Sequence, residues 1–151
     1  LSANTLGQYI FGALAHESHA DLHNWYEQQR DYYRQMIFEL HKGFKDIEPE
    51  FIISNPEASI YFVIDVRNVA KPGFDGVEFA AWCAEHGRVT LDDGNDYTLL
   101  MAPLNGFYSG LNGDNNPGKT QLRVSFCENP ELLKLAPVLL SKLFRAYEAQ
   151  R

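Results

Sequence analysis

The chain has 151 residues, of which 45% are apolar, 13% aromatic and 22% charged, and its formal net charge is −7. This composition argues against a disordered chain and is that of a folded domain with a sizeable core. The negative charge disfavours a nucleic-acid-binding surface, which needs clustered Lys and Arg, and no apolar stretch approaches the length of a membrane span. The chain begins at Leu1 without a methionine, so we expect it to be a piece of a longer protein.

The first third of the chain has the pattern of helices. Between Leu6 and Gly43 no proline occurs, and apolar side chains recur at three-, four- and seven-residue steps on one broad face. The members of this face are Leu14, Leu22, Trp25, Tyr32, Met36 and Leu40. The polar stretch HESHAD, residues 16–21, predicts a break. We therefore expect a short helix and then a longer one that ends at Gly43.

The middle of the chain alternates strand and helix signals. Residues 59–69 are dense in β-branched and aromatic side chains and predict a mostly buried strand. Residues 76–87 predict a short amphipathic helix that ends at Gly87. Its expected buried residues are Val77, Ala80, Ala81 and Ala84. The segment YTLLMAP, residues 97–103, predicts a second strand.

The last third contains a third predicted strand and a long helix. In residues 121–127 apolar and polar side chains alternate, so one face of this strand is expected to be wet or functional. Leu122, Val124 and Phe126 form the apolar face, and Gln121, Arg123, Ser125 and Cys127 form the other. Asn129 and Pro130 predict the start of a helix that runs to the end of the chain, with a kink at Pro137.

This order of elements predicts an α/β fold of two layers, an α+β sandwich in which a small sheet of three or four strands packs against helices. No internal repeat is visible. We expect residues 1–151 to form a single domain.

The segment GDNNPGKT, residues 113–120, has the literal pattern of a phosphate-binding loop. Such a loop works because a helix follows it and supplies free N–H groups and the positive end of a dipole. Here an alternating strand follows. The apolar run that ends at Asp65 resembles a magnesium-binding strand but precedes the loop. We therefore expect a turn-rich connection, and a nucleotide hydrolase remains a rival hypothesis.

Other candidate sites have weaker support. His16, His19 and His23 would share a face only on one continuous helix, and no partner completes a zinc motif, so an exposed polar surface is expected. Cys83 and Cys127 lack C-x-x-C spacing and are expected to be buried, reduced thiols of a cytoplasmic protein. Most Tyr and Trp residues fall at spacings typical of core packing.

Arg123 differs from these candidates because it is a lone cation between Leu122 and Val124, on a strand that follows a long loop. A guanidinium in this position offers a bidentate donor for a carboxylate or phosphate. An equally open interpretation is a structural arginine paired with one of the 20 acidic residues.

Two segments resemble a known family. LLMAPLNGFYS (residues 99–109) and NPGKTQLRVSFCENPELL (residues 116–133), followed by a helix, are similar to the closing segment of class I/II, fold-type I, pyridoxal-phosphate-dependent aminotransferases. The closest branch is aspartate aminotransferase-like, with its APxxGFY and PGxGKxxxRIA block. Four earlier parts of the chain also resemble family segments, in the same order as in the family. They are SANTLGQYIFGAL, YEQQRDYYRQMIFELHKGF, PEASIYFVIDV and GVEFAAWCAEHG. The resemblance therefore covers essentially the whole chain.

The resemblance implies that the chain is the C-terminal small domain of a larger aminotransferase, with residues 1–20 approximating the helix that leaves the missing large domain. Two departures stand out. Ala58 and Ser59 replace the family's Gly-Ala, so no substrate role is transferred there, and residues 88–98 are longer and more acidic than usual.

The resemblance also implies roles for single residues. The arginine of the family's R-[IV]-[SA]-[FY] strand binds the α-carboxylate of the substrate, and it maps onto Arg123. The cofactor-bearing lysine and the phosphate-binding residues lie upstream in the family. The chain is therefore expected to contain no catalytic, cofactor-binding or metal-binding residue and to be inactive in isolation.

For the full-length parent, the resemblance implies a cytoplasmic homodimer that uses pyridoxal 5′-phosphate. It would transfer an amino group between an amino acid, expected to be aspartate-like, and a 2-oxo acid, with no nucleic-acid or membrane partner. The alternative function is that of a stand-alone small-molecule-binding regulatory α/β module.

Overall fold

The computed structural model describes residues 3–111 and 113–151. Its helices are α1 (Thr5–Ala13), α2 (His19–Ile47), α3 (Gly76–Glu85), α4 (Pro130–Leu133) and α5 (Ala136–Gln150). Its strands are β1 (Ile52–Ile53), β2 (Tyr61–Asp65), β3 (Val89–Thr90), β4 (Asp96–Tyr97), β5 (Ala102–Pro103) and β6 (Gln121–Ser125). Short 3-10 turns are Leu14–His16, Asn105–Phe107, Gly113–Asn115 and Pro117–Thr120. Within these ranges no helix has the length and apolarity needed to cross a membrane.

Two compact units divide the chain at a boundary inside α2: Leu1–Gln35 and Met36–Arg151. In the first unit the predicted helix break is confirmed, and polar side chains explain it. Asn4 Oδ1 accepts a hydrogen bond from the Gly7 amide at 2.9 Å, which caps the start of α1. Ser18 Oγ accepts one from the Asp21 amide at 3.1 Å at the start of α2. Each bond satisfies an amide that a new helix would leave unpaired.

The second unit contains a four-stranded antiparallel sheet in the order β1-β2-β6-β5. The sheet therefore places β6, the last strand in the chain, between two strands that precede it. A separate hairpin pairs β3 with β4. The predicted two-layer α+β class is confirmed, with β1 and the hairpin as additions to the expected strands.

One face of the sheet carries the core. Phe62 and Ile64 of β2 and Leu122 and Val124 of β6 are all buried. Phe62 packs edge to face on Phe44 of α2, with 5.8 Å between ring centroids. Burial of each such large side chain contributes about 1.5–3 kcal/mol. The opposite surface, named here the open face, carries Tyr61, Val63, Gln121, Arg123 and Ser125, as the alternation of β6 predicts.

Helix α2 continues past Gly43 to Ile47, so the predicted stop at Gly43 is wrong. Gly43 instead allows close packing, because a Cβ atom there would lie 3.0 Å from Cγ of Pro137. The predicted apolar face of α2 is buried only at Leu40, joined by Phe44, while Trp25 and Tyr32 are exposed.

Helix α3 buries a different stripe from the one predicted. Its buried residues are Gly76, Phe79 and Cys83, and Val77 is exposed. The physical reason is that turning Phe79 inward removes far more apolar surface from water than turning several alanines inward.

Two predicted elements are each divided. The segment 97–103 is not one strand. Its first residue, Tyr97, belongs to β4 of the hairpin, and Ala102–Pro103 near its end form β5 of the main sheet. The C-terminal helix is also two helices. Asn129 Oδ1 caps α4, and Pro137 lies in the first turn of α5, where a proline loses no helical hydrogen bond, rather than at a kink.

Candidate functional site

Arg123 occupies the middle of β6 on the open face. Its backbone pairs with Val63 of β2 on one side and with Ala102 of β5 on the other. Strands on both sides fix the position of its Cα atom, and the side chain is only partly buried. Arg123 therefore lies on the face of this strand that was predicted to be wet or functional.

Two aromatic rings hold the guanidinium of Arg123. Its Cζ atom lies 4.9 Å from the ring centroid of Tyr61 and 5.4 Å from that of Phe107. Tyr61 comes from β2 and Phe107 from the turn after β5, so the rings approach from the two strands that flank β6. Such contacts attract a cation through the ring quadrupole and restrict its rotation. Both rings are exposed, so Tyr61 is not a core residue as was expected for most Tyr and Trp residues.

Among the side chains that the structure describes, which exclude that of residue 114, Arg123 has no hydrogen-bond acceptor and no ion-pair partner. Arg67, in the turn after β2, does have an acidic partner, since it pairs with Asp65. A guanidinium whose N–H groups have no protein acceptor can donate two parallel hydrogen bonds to a bound carboxylate. The alternative interpretation, a structural arginine paired with an acidic residue, would need an ion pair that the described side chains do not provide.

The GDNNPGKT segment forms two 3-10 turns that lead directly into β6, and no helix follows it. The expected turn-rich connection is confirmed. Its glycine Gly118 has a packing function, because a Cβ atom there would lie 2.5 Å from the carbonyl oxygen of Leu104. Asn116 Nδ2 donates to the carbonyls of Asn105 at 2.9 Å and Leu111 at 3.1 Å. The segment thus holds the loop of residues 104–111 against the sheet.

The structure brings Asp65 and Thr120, the two residues that resembled a nucleotide site, into contact. Thr120 Oγ1 donates to Asp65 Oδ1 at 2.8 Å, and Gln121 Nε2 donates to Asp65 Oδ2 at 3.1 Å. Arg67 adds its backbone amide at 3.0 Å and its Nε at 2.8 Å. Both carboxylate oxygens therefore already have protein donors. The hydrogen bond between Thr120 and Asp65 connects the end of β2 to the turn before β6.

Asp65 is almost completely buried, and its charge is nevertheless retained. Burial raises the pKa of this carboxyl, but the hydrogen bonds from Arg67, Thr120 and Gln121 together lower the pKa below its ordinary value. The Asp65 carboxylate also holds the pKa of Arg67 above its usual range.

Tyr108 and Gln121 are contact residues that the sequence did not reveal. The Tyr108 hydroxyl donates to Gln121 Oε1, and Gln121 Nε2 in turn donates to Asp65 Oδ2. The one available signal was the position of Gln121, two residues before Arg123 on the same face of an alternating strand.

The predicted histidine surface is exposed. His16 lies in the 3-10 turn, His19 begins α2 and His23 follows one turn later, so the three do not share one helix. Among the described residues no group of three or more His, Cys, Asp or Glu side chains could hold a metal ion.

Three of the lysines have protein partners in the structure. Lys45 Nζ donates to the carbonyl of Phe51 at 2.9 Å, and Lys71 donates to the carbonyl of Glu148. Lys134 pairs with Glu131 at 2.7 Å, which raises its pKa and keeps it charged. The remaining lysines lie on helix surfaces or in the turn 117–120.

The two cysteines have different surroundings, and both are free thiols. Burial raises the pKa of Cys83 to about 12, although the nearby positive charge of Arg88 opposes the rise. Cys127 is exposed, so the prediction that it is buried is wrong; the chain leaves β6 at Ser125 and no element covers Cys127 among the described residues.

No protein-family model matches this chain, and no curated protein sequence matches it. Solved structures do. An archaeal alanine:glyoxylate aminotransferase is 20% identical, with a TM-score of 0.54, over 79% of this chain and 24% of its own. Bna3p from Saccharomyces cerevisiae, whose proposed activity is that of a kynurenine aminotransferase, is 18% identical, with a TM-score of 0.55, over 83% of this chain and 29% of its own.

The chain thus spans only 24% and 29% of the length of these two proteins. At this level of identity the likeness concerns the fold alone. It confirms the predicted aminotransferase small-domain fold: this chain folds as a part of fold-type I aminotransferases does.

Proposed function

We propose that this chain is the substrate-carboxylate-binding domain of a pyridoxal-phosphate-dependent amino-acid aminotransferase, with Arg123 as the carboxylate-binding residue. The observation that carries the proposal is the state of that side chain: a partly buried guanidinium, held by Tyr61 and Phe107, whose N–H groups have no acceptor among the described residues. The aminotransferase fold of the neighbouring structures supports the same reaction class.

The chemistry of transamination suits one such residue. The amino-acid donor and the 2-oxo-acid acceptor both carry an α-carboxylate, so a single guanidinium can orient the substrate in both half-reactions. Bidentate hydrogen bonds to a charged group fix the plane of the carboxylate as well as its position. Partial exclusion of water strengthens the pair relative to bulk solvent.

We propose that the rest of the parent protein supplies the cofactor and its lysine, as the sequence resemblance implies. In support, Lys45, Lys71 and Lys134 of this chain are already engaged with protein oxygen atoms. The isolated chain should therefore be inactive. Incubation of the chain with aspartate, pyridoxal phosphate and 2-oxoglutarate tests this point, and turnover above the rate of the free cofactor would disprove it.

The finer features of the parent follow from the sequence resemblance. An aspartate-like amino acid is the first donor to test, the assembly is proposed to be a homodimer, and the location is proposed to be the cytoplasm. The acidic segment 88–98 forms the β3–β4 hairpin with its turn at Gly94, and we assign it no role in substrate binding.

The central experiment is Arg123→Lys in the full-length protein. A lysine keeps the charge but cannot donate as a planar fork, so KM should rise about ten- to hundredfold for both the amino acid and the 2-oxo acid. Arg34→Lys is the matched control, because Arg34 pairs with Asp31 at 3.0 Å on an exposed helix surface. KM values equal to those of the wild type in Arg123→Lys would remove Arg123 from the site.

A further inference from the structure

A series of hydrogen bonds connects the loop that carries Phe107 to the buried Asp65. The Tyr108 hydroxyl donates to Gln121 Oε1, and Gln121 Nε2 donates to Asp65 Oδ2 at 3.1 Å. Asp65 is only 4% exposed and is fixed by further donors from Arg67 and Thr120. Tyr108 in the loop is therefore connected through Gln121 to Asp65, a buried residue of the sheet.

The first two members of this series, Tyr108 and Gln121, lie beside the proposed carboxylate site. Gln121 is two residues before Arg123 on β6, so the two side chains project from the same face. Tyr108 directly follows Phe107, whose ring lies 5.4 Å from the Arg123 guanidinium. A movement of Tyr108 would move Phe107, and a movement of Gln121 would change the space next to Arg123.

The rest of the loop is fixed at its two ends. The Leu104 amide donates to the Gln121 carbonyl at 3.1 Å, and Asn105 Nδ2 donates to the carboxylate of Asp75 at 3.2 Å. At the far end, Asn116 Nδ2 donates to the carbonyl of Leu111. Between residues 106 and 110, within the part of the chain that the structure describes, the side-chain hydrogen bond comes from Tyr108.

We propose that Tyr108 is a positioning residue of the carboxylate site: its bond to Gln121 holds Phe107 against Arg123 and so presents the guanidinium in a fixed orientation. This role rests on the proposed function of Arg123. Tyr108 does not act on the substrate itself. A guanidinium that is already oriented loses less side-chain freedom when a carboxylate binds, so the tie should improve affinity and leave the chemical step unchanged.

Kinetics of Tyr108→Phe in the full-length protein give the first test. Loss of the hydroxyl should raise KM for the amino acid and the 2-oxo acid about two- to tenfold, with kcat unchanged. Tyr97→Phe is the matched control, because its hydroxyl donates to Asp93 Oδ2 at 2.7 Å in the exposed hairpin. Wild-type KM values in Tyr108→Phe would overturn the positioning role.

NMR spectra of the same full-length variants give a readout that does not depend on activity. In the wild type, nuclear Overhauser effects should connect the Phe107 ring protons with the δ protons of Arg123, and these should weaken in Tyr108→Phe but not in Tyr97→Phe. Effects of unchanged strength in Tyr108→Phe would disprove the positioning role.

The two tests also separate this inference from the proposed function. If Arg123→Lys raises KM and Tyr108→Phe changes neither KM nor the Phe107 signals, the positioning role fails and the proposed function stands. If Arg123→Lys leaves KM unchanged, the proposed function fails, and with it the positioning role for substrate, even where the Phe107 signals weaken as expected.

Discussion

The hydroxyl of Thr120 donates a hydrogen bond to Oδ1 of Asp65 at 2.8 Å, although 55 positions separate the two residues in the chain. The bond joins the end of β2 to the turn that leads into β6. In a phosphate-binding protein a threonine and an aspartate in contact would hold a magnesium ion. Here Arg67 and Gln121 fill the remaining acceptor positions of the carboxylate, so the pair stabilises the sheet beside Arg123.

Thr120→Val should destabilise the protein by about 1–3 kcal/mol. Valine has nearly the same shape, but it removes a donor from a buried carboxylate and leaves one oxygen with fewer hydrogen bonds. Urea denaturation followed by circular dichroism measures the change.

Thr90→Val is the matched control for this substitution. Thr90 Oγ1 donates to Asp96 Oδ1 at 2.6 Å, but in an exposed hairpin where water can replace the lost bond. Its effect should stay within about 0.5 kcal/mol. Equal losses in the two variants would contradict a special role for the buried pair.

The free energy of unfolding should decrease as the pH is lowered through the range in which Asp65 is protonated. The pKa of this group is lowered from 3.8 in the folded state, so the unfolded chain takes up the proton first. The stabilisation is therefore complete above pH 3.8 and is lost as the pH falls from 3.8 through the lower folded pKa.

Asp65→Asn checks this sign. The variant should be less stable at pH 7, because Arg67 loses its partner, and its free energy of unfolding should depend less on pH below about 4 than that of the wild type. Denaturation midpoints from pH 7 to pH 2.5 provide the measurement. A variant with the full acid dependence of the wild type would show that other carboxyls cause it.

Gly118→Ala should cost about 1–3 kcal/mol. The added Cβ atom would lie 2.5 Å from the carbonyl oxygen of Leu104 and 2.9 Å from the amide of Asn105, and backbone cannot move away as a side chain can. Gly106→Ala, in the same loop, is the control because nothing lies within 4 Å of its added atom. A neutral Gly118→Ala would show that the turn 117–120 does not pack closely on residue 104.

The two cysteines should differ sharply in alkylation at pH 8. Cys83 has a pKa of about 12 and is buried, so its thiolate is on the order of one part in ten thousand. Cys127 is exposed and should react with iodoacetamide in the folded protein. Peptide mass spectrometry identifies the labelled residue, and unfolding in guanidinium chloride, which should make both react, is the control. Rapid labelling of Cys83 in the folded protein would contradict its burial.

Local patterns were enough to find β6 and the position of Arg123. Alternation over residues 121–127 reports which side chains share a face, because the period of a strand is two. The turn-rich segment before it was also predictable, since its glycines, asparagines and proline favour turns. The segment matches the sequence pattern of a phosphate-binding loop, but a strand follows it where such a loop needs a helix.

The surroundings of Arg123 were not predictable from local patterns. Tyr61 and Phe107 reach it only because β6 lies between β2 and β5, and sequence spacing carries no record of that order. The same holds for Tyr108 and Gln121, whose contact closes a loop of 13 positions. In helix α3 the prediction of the buried face was wrong for a different reason. The spacing of the alanines indicated one face, but the large side chain of Phe79 determines which face is buried.

The central place of β6 in the sheet has a consequence for the order in which the protein is made. During synthesis β2 and β5 leave the ribosome before β6. The edges that they share with β6 therefore stay unpaired until residues 121–125 have been made. Unpaired strand edges are sites of association with other chains. A nascent chain that stalls before Gln121 therefore exposes the two edges that the arginine-bearing strand later covers.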